Sequence, residues 1–192
     1  MLGARGRENF VYGPGHQGVN MAASRQLPPS LQWRQPSASH RVYELVSGDQ
    51  VFASLRFVKA LGTLAEVQAN GATFSLKRVG FLHPKVTIRK TPFEQDIGTV
   101  EMSWRGTGTV TMSNGQRYVL KRASAWGGKW EVVDDANETL ATTKMRRGFL
   151  RNEADVAVEE KGAKNGDLVL LLALGMYISI LIQQDSAAAA GS

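Results

Sequence analysis

The sequence contains no cysteine. That excludes a disulfide framework, a thiolate zinc site and a cysteine nucleophile, so stability has to come from packing. Histidine is scarce: of His16, His40 and His83, only His83 falls within the patterned part of the chain. It precedes Pro84 in a stretch that reads as a loop, without partners at metal-ligand spacing. No GxSxG, Walker loop, HExxH or dinucleotide fingerprint occurs. RGTGT at 105–109 lies between strand patterns and not ahead of a helix, which makes it a hairpin turn and not a phosphate cradle. DDANE at 134–138 alternates oxygen ligands but lacks the glycine and the closing glutamate of a calcium loop, so it reads as a plain turn. Asn137-Glu138-Thr139 spells a glycosylation sequon with no export signal to accompany it. No cofactor and no metal is expected, and the chain reads as non-enzymatic.

With 192 residues, 43% of them hydrophobic and 21% charged, the chain suits a single packed domain, expected to be monomeric. Its charge is uneven. Lys77 to Arg122 carries nine cations against three anions, which equals the formal net charge of +6 for the whole chain. That segment is where an anionic partner would bind, and its solvated strand faces would look the same with no partner at all. Basic residues interleave with aromatics at Trp104-Arg105, Arg117-Tyr118 and Trp126 to Trp130. Stacking of single-stranded bases is the weaker use of that pattern, since inward aromatics beside outward cations produce it equally.

Residues 1–26 are glycine-rich and lack the apolar run of a signal peptide, so they read as a disordered leader. Met21, at the composition break, is an alternative start, and a cytoplasmic location follows as the default. Leu27 to Ser39, with Pro28, Pro29 and Pro36, reads as an extended arm that docks the Trp33 indole on the domain. From Arg41 the text alternates with period two between turn residues, giving strands at 42–46, 51–57, 64–69, 73–79, 86–90, 98–105, 107–113, 116–122, 129–134, 139–146 and 155–159. Asn70-Gly71 and Asn114-Gly115 mark hairpins. This is the rhythm of a barrel or sandwich.

The polar linker 161–167 ends at Asp167, which stands as N-cap to Leu168–Ile182, fifteen residues without a charge. A helix that long spans about 22 Å, short of the roughly 30 Å of bilayer hydrocarbon, and an all-apolar helix must be buried somewhere. The expectation is a core helix over 167–183 within a domain 27–186, followed by a frayed tail at 187–192. Leu170, Leu174, Gly175, Ile178 and Ser179 are its core residues, with Gly175 and Ser179 admitting close approach of a strand wall.

A series of short antiparallel strands closed by one wholly apolar helix resembles the tubby C-terminal-like superfamily, which includes phospholipid scramblases and LURP-one-related proteins. The resemblance rests on the strands from Arg41 to Glu160, the two Asn-Gly hairpins and the segment Asp167–Leu174. It implies a mainly β fold: a closed antiparallel barrel of about twelve strands around a central C-terminal helix. It further implies lipid handling, since tubby domains bind phosphoinositides and some scramblases bind calcium near the helix. Neither site transfers residue by residue, and 155–167 has Asp155, Glu159 and Glu160 without a calcium-loop pattern.

The expected function is a binding or tethering module, cytoplasmic and peripheral at an anionic membrane surface. Lys85, Arg89, Lys90, Lys121 and Arg122 are the expected contacts for phospholipid or another phosphate-rich partner. The competing readings are a tail-anchored protein with 168–182 as the anchor, and a scramblase-like lipid-handling protein. The sequence specifies no protein partner.

Overall fold

The computed structural model describes residues 26–60, 62–80, 84–92, 95–103, 107–123, 128–146 and 152–191. The expected leader up to Arg25, with Met21, and also His83, Trp104-Arg105 and Trp126 fall outside these. Twelve strands run β1 (Ser30–Arg34), β2 (Val42–Ser47), β3 (Gln50–Phe57), β4 (Ala65–Ala69), β5 (Ala72–Val79), β6 (Lys85–Thr91), β7 (Gln95–Met102), β8 (Gly108–Met112), β9 (Arg117–Arg122), β10 (Lys129–Asp134), β11 (Thr139–Arg146) and β12 (Glu153–Val158). Each pairs antiparallel with its neighbours in sequence, and β1 pairs with both β2 and β12, closing the barrel. Two helices follow, α1 (Glu160–Ala163) and α2 (Leu168–Ala190).

Eleven strands form where alternation places them; the twelfth corrects the arm reading. Leu31 and Trp33 are buried and alternate with exposed neighbours, so the proline-flanked segment is the closing strand, paired through Leu31 with Val156 and through Trp33 with Leu45. At Asn70-Gly71 both residues have positive φ (51° and 71°), the geometry of a type I′ hairpin. Asn114-Gly115 turns differently: only Gly115 has positive φ, and the Asn114 Oδ1 accepts the Gln116 N–H at 3.0 Å. Bulges after Leu45 and Val132 turn two consecutive residues inward on β2 and β10 and help to bend the sheet.

The helix α2 fills the lumen. Leu168 to Leu181 are buried on every side except at Gly175, and each large side chain contributes about 1.5–3 kcal/mol. It lies nearest β3, β4, β10 and β11. Ala53, Ala65 and Ala69 on the inner faces of β3 and β4 leave it room there. Its start is pinned at one mouth, which we call the lower. Tyr118 donates to Asp167 Oδ2 at 3.0 Å, and Asn70 Nδ2 donates to Gly166 O at 2.8 Å. Asp167 is the N-cap, as expected, but its side chain makes no capping bond: its backbone is already helical and its carboxylate is turned to Tyr118. At the opposite, upper mouth the Tyr177 hydroxyl donates to Thr63 O at 2.5 Å and accepts the Arg78 N–H at 3.0 Å. Its ring stacks on Phe57 at 5.5 Å.

Three further expectations need correction. The segment 161–167 is not all linker, because its first three residues belong to α1, whose Gly162 lies against the β11 backbone. The helix α2 does not stop at Gln183 but runs to Ala190, about 34 Å in all, because Gln183 to Ala190 is rich in alanine, the strongest helix former. Gly175 is not pressed against a strand: a Cβ built there meets nothing within 4 Å. Two residues on, Tyr177 points about 200° around the helix toward β3 and β4, so Gly175 faces the looser side. Ser179 donates back to Gly175 O at 2.8 Å and contacts no wall by hydrogen bond.

Gly175→Ala is therefore expected to stabilise the protein by about 0.5–1 kcal/mol through helix propensity, read as a higher urea midpoint. Gly162→Ala should do the reverse by at least about 2 kcal/mol, since its Cβ would sit 2.0 Å from Leu140 O. Equal and small shifts for the two variants would contradict this packing. Burial pushes the Tyr177 phenol up to about 12, above its unfolded value near 10. The neutral form is therefore the one folding favours. Its contribution is complete below pH 10 and is lost between about 10 and 12. Tyr177→Phe should lower stability at neutral pH by about 1–3 kcal/mol, leaving two backbone groups unpaired. It should also flatten the alkaline limb of stability against pH; an unchanged limb would show that another group governs it.

Candidate functional site

The two mouths differ in chemistry. Among the described residues the exposed large hydrophobics are Val58, Leu64 and Val79, 42%, 39% and 41% exposed, and all three lie at the upper mouth. The pattern that makes β3 and β4 strands puts them there. Outward positions alternate with the inward Leu55 and Phe57 on β3 and Ala65 and Val67 on β4, and the outward series ends in Val58 and begins at Leu64. Val58 N donates to Leu64 O at 3.0 Å, holding the two side by side. On β5, Val79 pairs with Lys85, and extending the β4–β5 register brings Lys77 beside Leu64.

Cations surround this apolar edge. Lys59 and Lys77 are exposed and have no acidic partner among the described residues. Arg41 reaches under the rim, donating to the carbonyls of Lys59 at 3.0 Å and Ala60 at 2.8 Å, with its guanidinium 3.7 Å above the Phe57 ring. Arg78 is turned inward and binds the helix carboxylate of Asp185 at 2.5 and 3.0 Å. That hydrogen bond, outweighing the opposing effect of burial, holds the Arg78 pKa above its ordinary value. Asp185 belongs to the part of α2 that has emerged from the barrel.

The five cations expected to form one surface are dispersed. Lys85 and Arg89 share the outer face of β6, where alternation places Val86 and Ile88 inward. Each meets an acid across β7: Lys85 bonds Glu101 at 2.7 Å and Arg89 bonds Asp96 at 2.6 Å. Glu101 is held below the usual carboxylate range by that lysine. Lys90, exposed, stands nearer the lower mouth, opposite Phe74 and Gln95. Lys121 faces outward opposite Glu131 and donates to Asn137 Oδ1 at 2.5 Å. Arg122 is one residue on and therefore on the inner face, opposite Trp130, at the upper mouth. So Lys85 and Arg122 stand at the upper mouth, while Arg89, Lys90 and Lys121 do not join them.

Sequence reasoning passed over Val58, Leu64 and Lys59, and counted Lys77 in the basic segment without singling it out. The signal was present, since an apolar residue at an outward position is an exception to the alternation that defines the strand. His40, the described histidine, contacts only Ser37 and Ser39 through its ring. Among the described residues no group of acids and histidines could hold a metal ion. Comparison of the chain with protein-family models, with curated proteins and with solved structures finds no match in any of the three.

An upper mouth of this kind can do two physical things. Apolar tips flanked by lysines can sink into the interfacial region of a lipid layer. A pair of arginines at the rim can hold anionic oxygens.

Proposed function

We propose that the protein is a non-enzymatic barrel module that docks its upper mouth on an anionic membrane surface. The observation that carries this is the coincidence of Val58, Leu64 and Val79 with Lys59 and Lys77 at a single mouth of the barrel. Scattered exposed hydrophobics need no explanation, but three at one rim with uncompensated lysines around them match a surface that is apolar within and negative at its face. The resemblance to the tubby C-terminal-like superfamily is part of the same proposal, supported by the closed twelve-strand barrel and its interior helix. So is a peripheral, cytoplasmic location. Of the five cations read from the sequence, Lys85 and Arg122 stand at this mouth, Lys85 paired there with Glu101.

The competing reading takes α2 as a membrane anchor. The helix is long and apolar enough by composition to cross a bilayer, and 72% of its most apolar stretch is buried inside the barrel. Insertion would have to empty the lumen, which disfavours that reading.

Binding to vesicles containing acidic phospholipid should fall steeply with salt and be released by carbonate. Near-surface cations contribute about 1 kcal/mol each and are screened within about 10 Å at 0.1 M. Joint reversal of Lys59→Glu and Lys77→Glu should weaken binding at least tenfold, and reversal of Arg89 and Lys90 much less. Equal losses from the two pairs, or resistance to carbonate, would overturn the proposal.

A further inference from the structure

The upper mouth also holds a cleft between the emerging helix and the ends of β5, β6, β7 and β9, with a volume of about 260 Å³. Its walls divide by chemistry. Val86, Met102, Ile178, Leu181 and Ile182 form an apolar side, and Arg78 and Arg122 stand on it with Asp185 between helix and wall. Apolar lining with a few convergent polar groups is the composition of a ligand site, and this volume lies just below the usual range for drug-sized ligands, which suits a small one.

The Asp185 carboxylate shows how an anion fits here. Both its oxygens are held by the Arg78 guanidinium, in the bidentate arrangement that suits a carboxylate or phosphate. Asp185 is itself 56% exposed at its side chain, on the projecting part of α2, whereas Arg78 is 27% exposed and fixed in the wall. A ligand anion can therefore replace Asp185 at Arg78, one negative charge for another, with Asp185 released to water. Below the cleft, Gly175 lies on the same helix face as Ile178 and Ile182, and the space at its missing Cβ is open. A chain entering past Ile182 and Ile178 runs toward that space.

We propose that this cleft binds a single-chain anionic amphiphile, its head at Arg78 and Arg122 and its chain along Met102, Ile178 and Ile182. The site does not depend on membrane docking, since its ligand reaches it as a monomer from water. A diacyl lipid is too large for it. Asp185 acts as the resident competitor.

The test uses the full chain with methyl-labelled Ile, Leu, Val and Met, titrated without vesicles. The probes are a short-chain lysophosphatidic acid below its micelle concentration, inorganic phosphate as head alone, and the matching uncharged monoacylglycerol as chain alone. The expected result is saturable shifts at Met102, Ile178 and Ile182 with lysophosphatidic acid, and at least tenfold weaker binding of the other two probes. Arg122→Gln should weaken binding about fivefold or more. Asp185→Asn should strengthen it several-fold, an effect that a purely structural role for the Arg78–Asp185 pair would not produce. Lys59→Glu with Lys77→Glu, which removes membrane docking, should leave the shifts at Met102, Ile178 and Ile182 saturable and lower the affinity less than Arg122→Gln does. Weaker or unchanged binding by the Asp185 variant overturns the proposal. So does equal affinity for phosphate or monoacylglycerol, or shifts confined to residues outside the cleft.

Discussion

A barrel of about eight strands can fill its interior with its own side chains, and one of twelve cannot. The apolar column of Leu168 to Leu181 is what makes this closed sheet possible. Inward residues such as Leu55, Leu76, Ile88, Val110 and Leu120 are fully buried and must meet something apolar at the centre of the lumen. The helix in turn has no polar side to give to water, so it is stable only where a wall surrounds it. Helix and sheet are thus mutually dependent. The hydrogen bonds at both mouths, Tyr118 with Asp167 below and Tyr177 with Thr63 and Arg78 above, fix the helix lengthwise.

Much of this was legible in the sequence because it is local. Alternation and turn residues place eleven strands, and fifteen uncharged residues announce a buried helix. The strand β1 was harder to read because its prolines suggest an arm and one of its two pairings is remote: Ser30 meets Ala157, and no nearby residue reports that contact. The spacing of Gly175 and Ser179 suggested a close wall, but small residues show only that an approach is allowed. The approach happens on the other face, where alanines line β3 and β4. The apolar run ends at Ile182 but the helix does not end with it, because Ala187 to Ala190 sustain it in solvent.

The site was less legible than the fold for a related reason. Net charge over Lys77 to Arg122 subtracts Glu101 and Asp96 without saying which cations they neutralise, and these are Lys85 and Arg89 across one strand pair. Lys121 and Arg122 are adjacent in sequence and on opposite faces of the wall. What distinguishes the upper mouth is a relation among residues from three strands and the helix, which only the barrel brings together. Arg78 belongs to both parts of the account, since its backbone N–H secures Tyr177 and its guanidinium holds Asp185.

The dependence of barrel on helix is measured most directly by native-state hydrogen exchange. If the two form one unit, the amides of Leu171 to Leu181 exchange only through global unfolding. They should then share a single opening free energy, and a single denaturant dependence, with the inner strands β3, β4, β10 and β11, while Gln184 to Ala190 exchange freely. Helix amides that open at lower free energy than those strands, with the strands still protected, would show a barrel that stands without its core and would contradict the account.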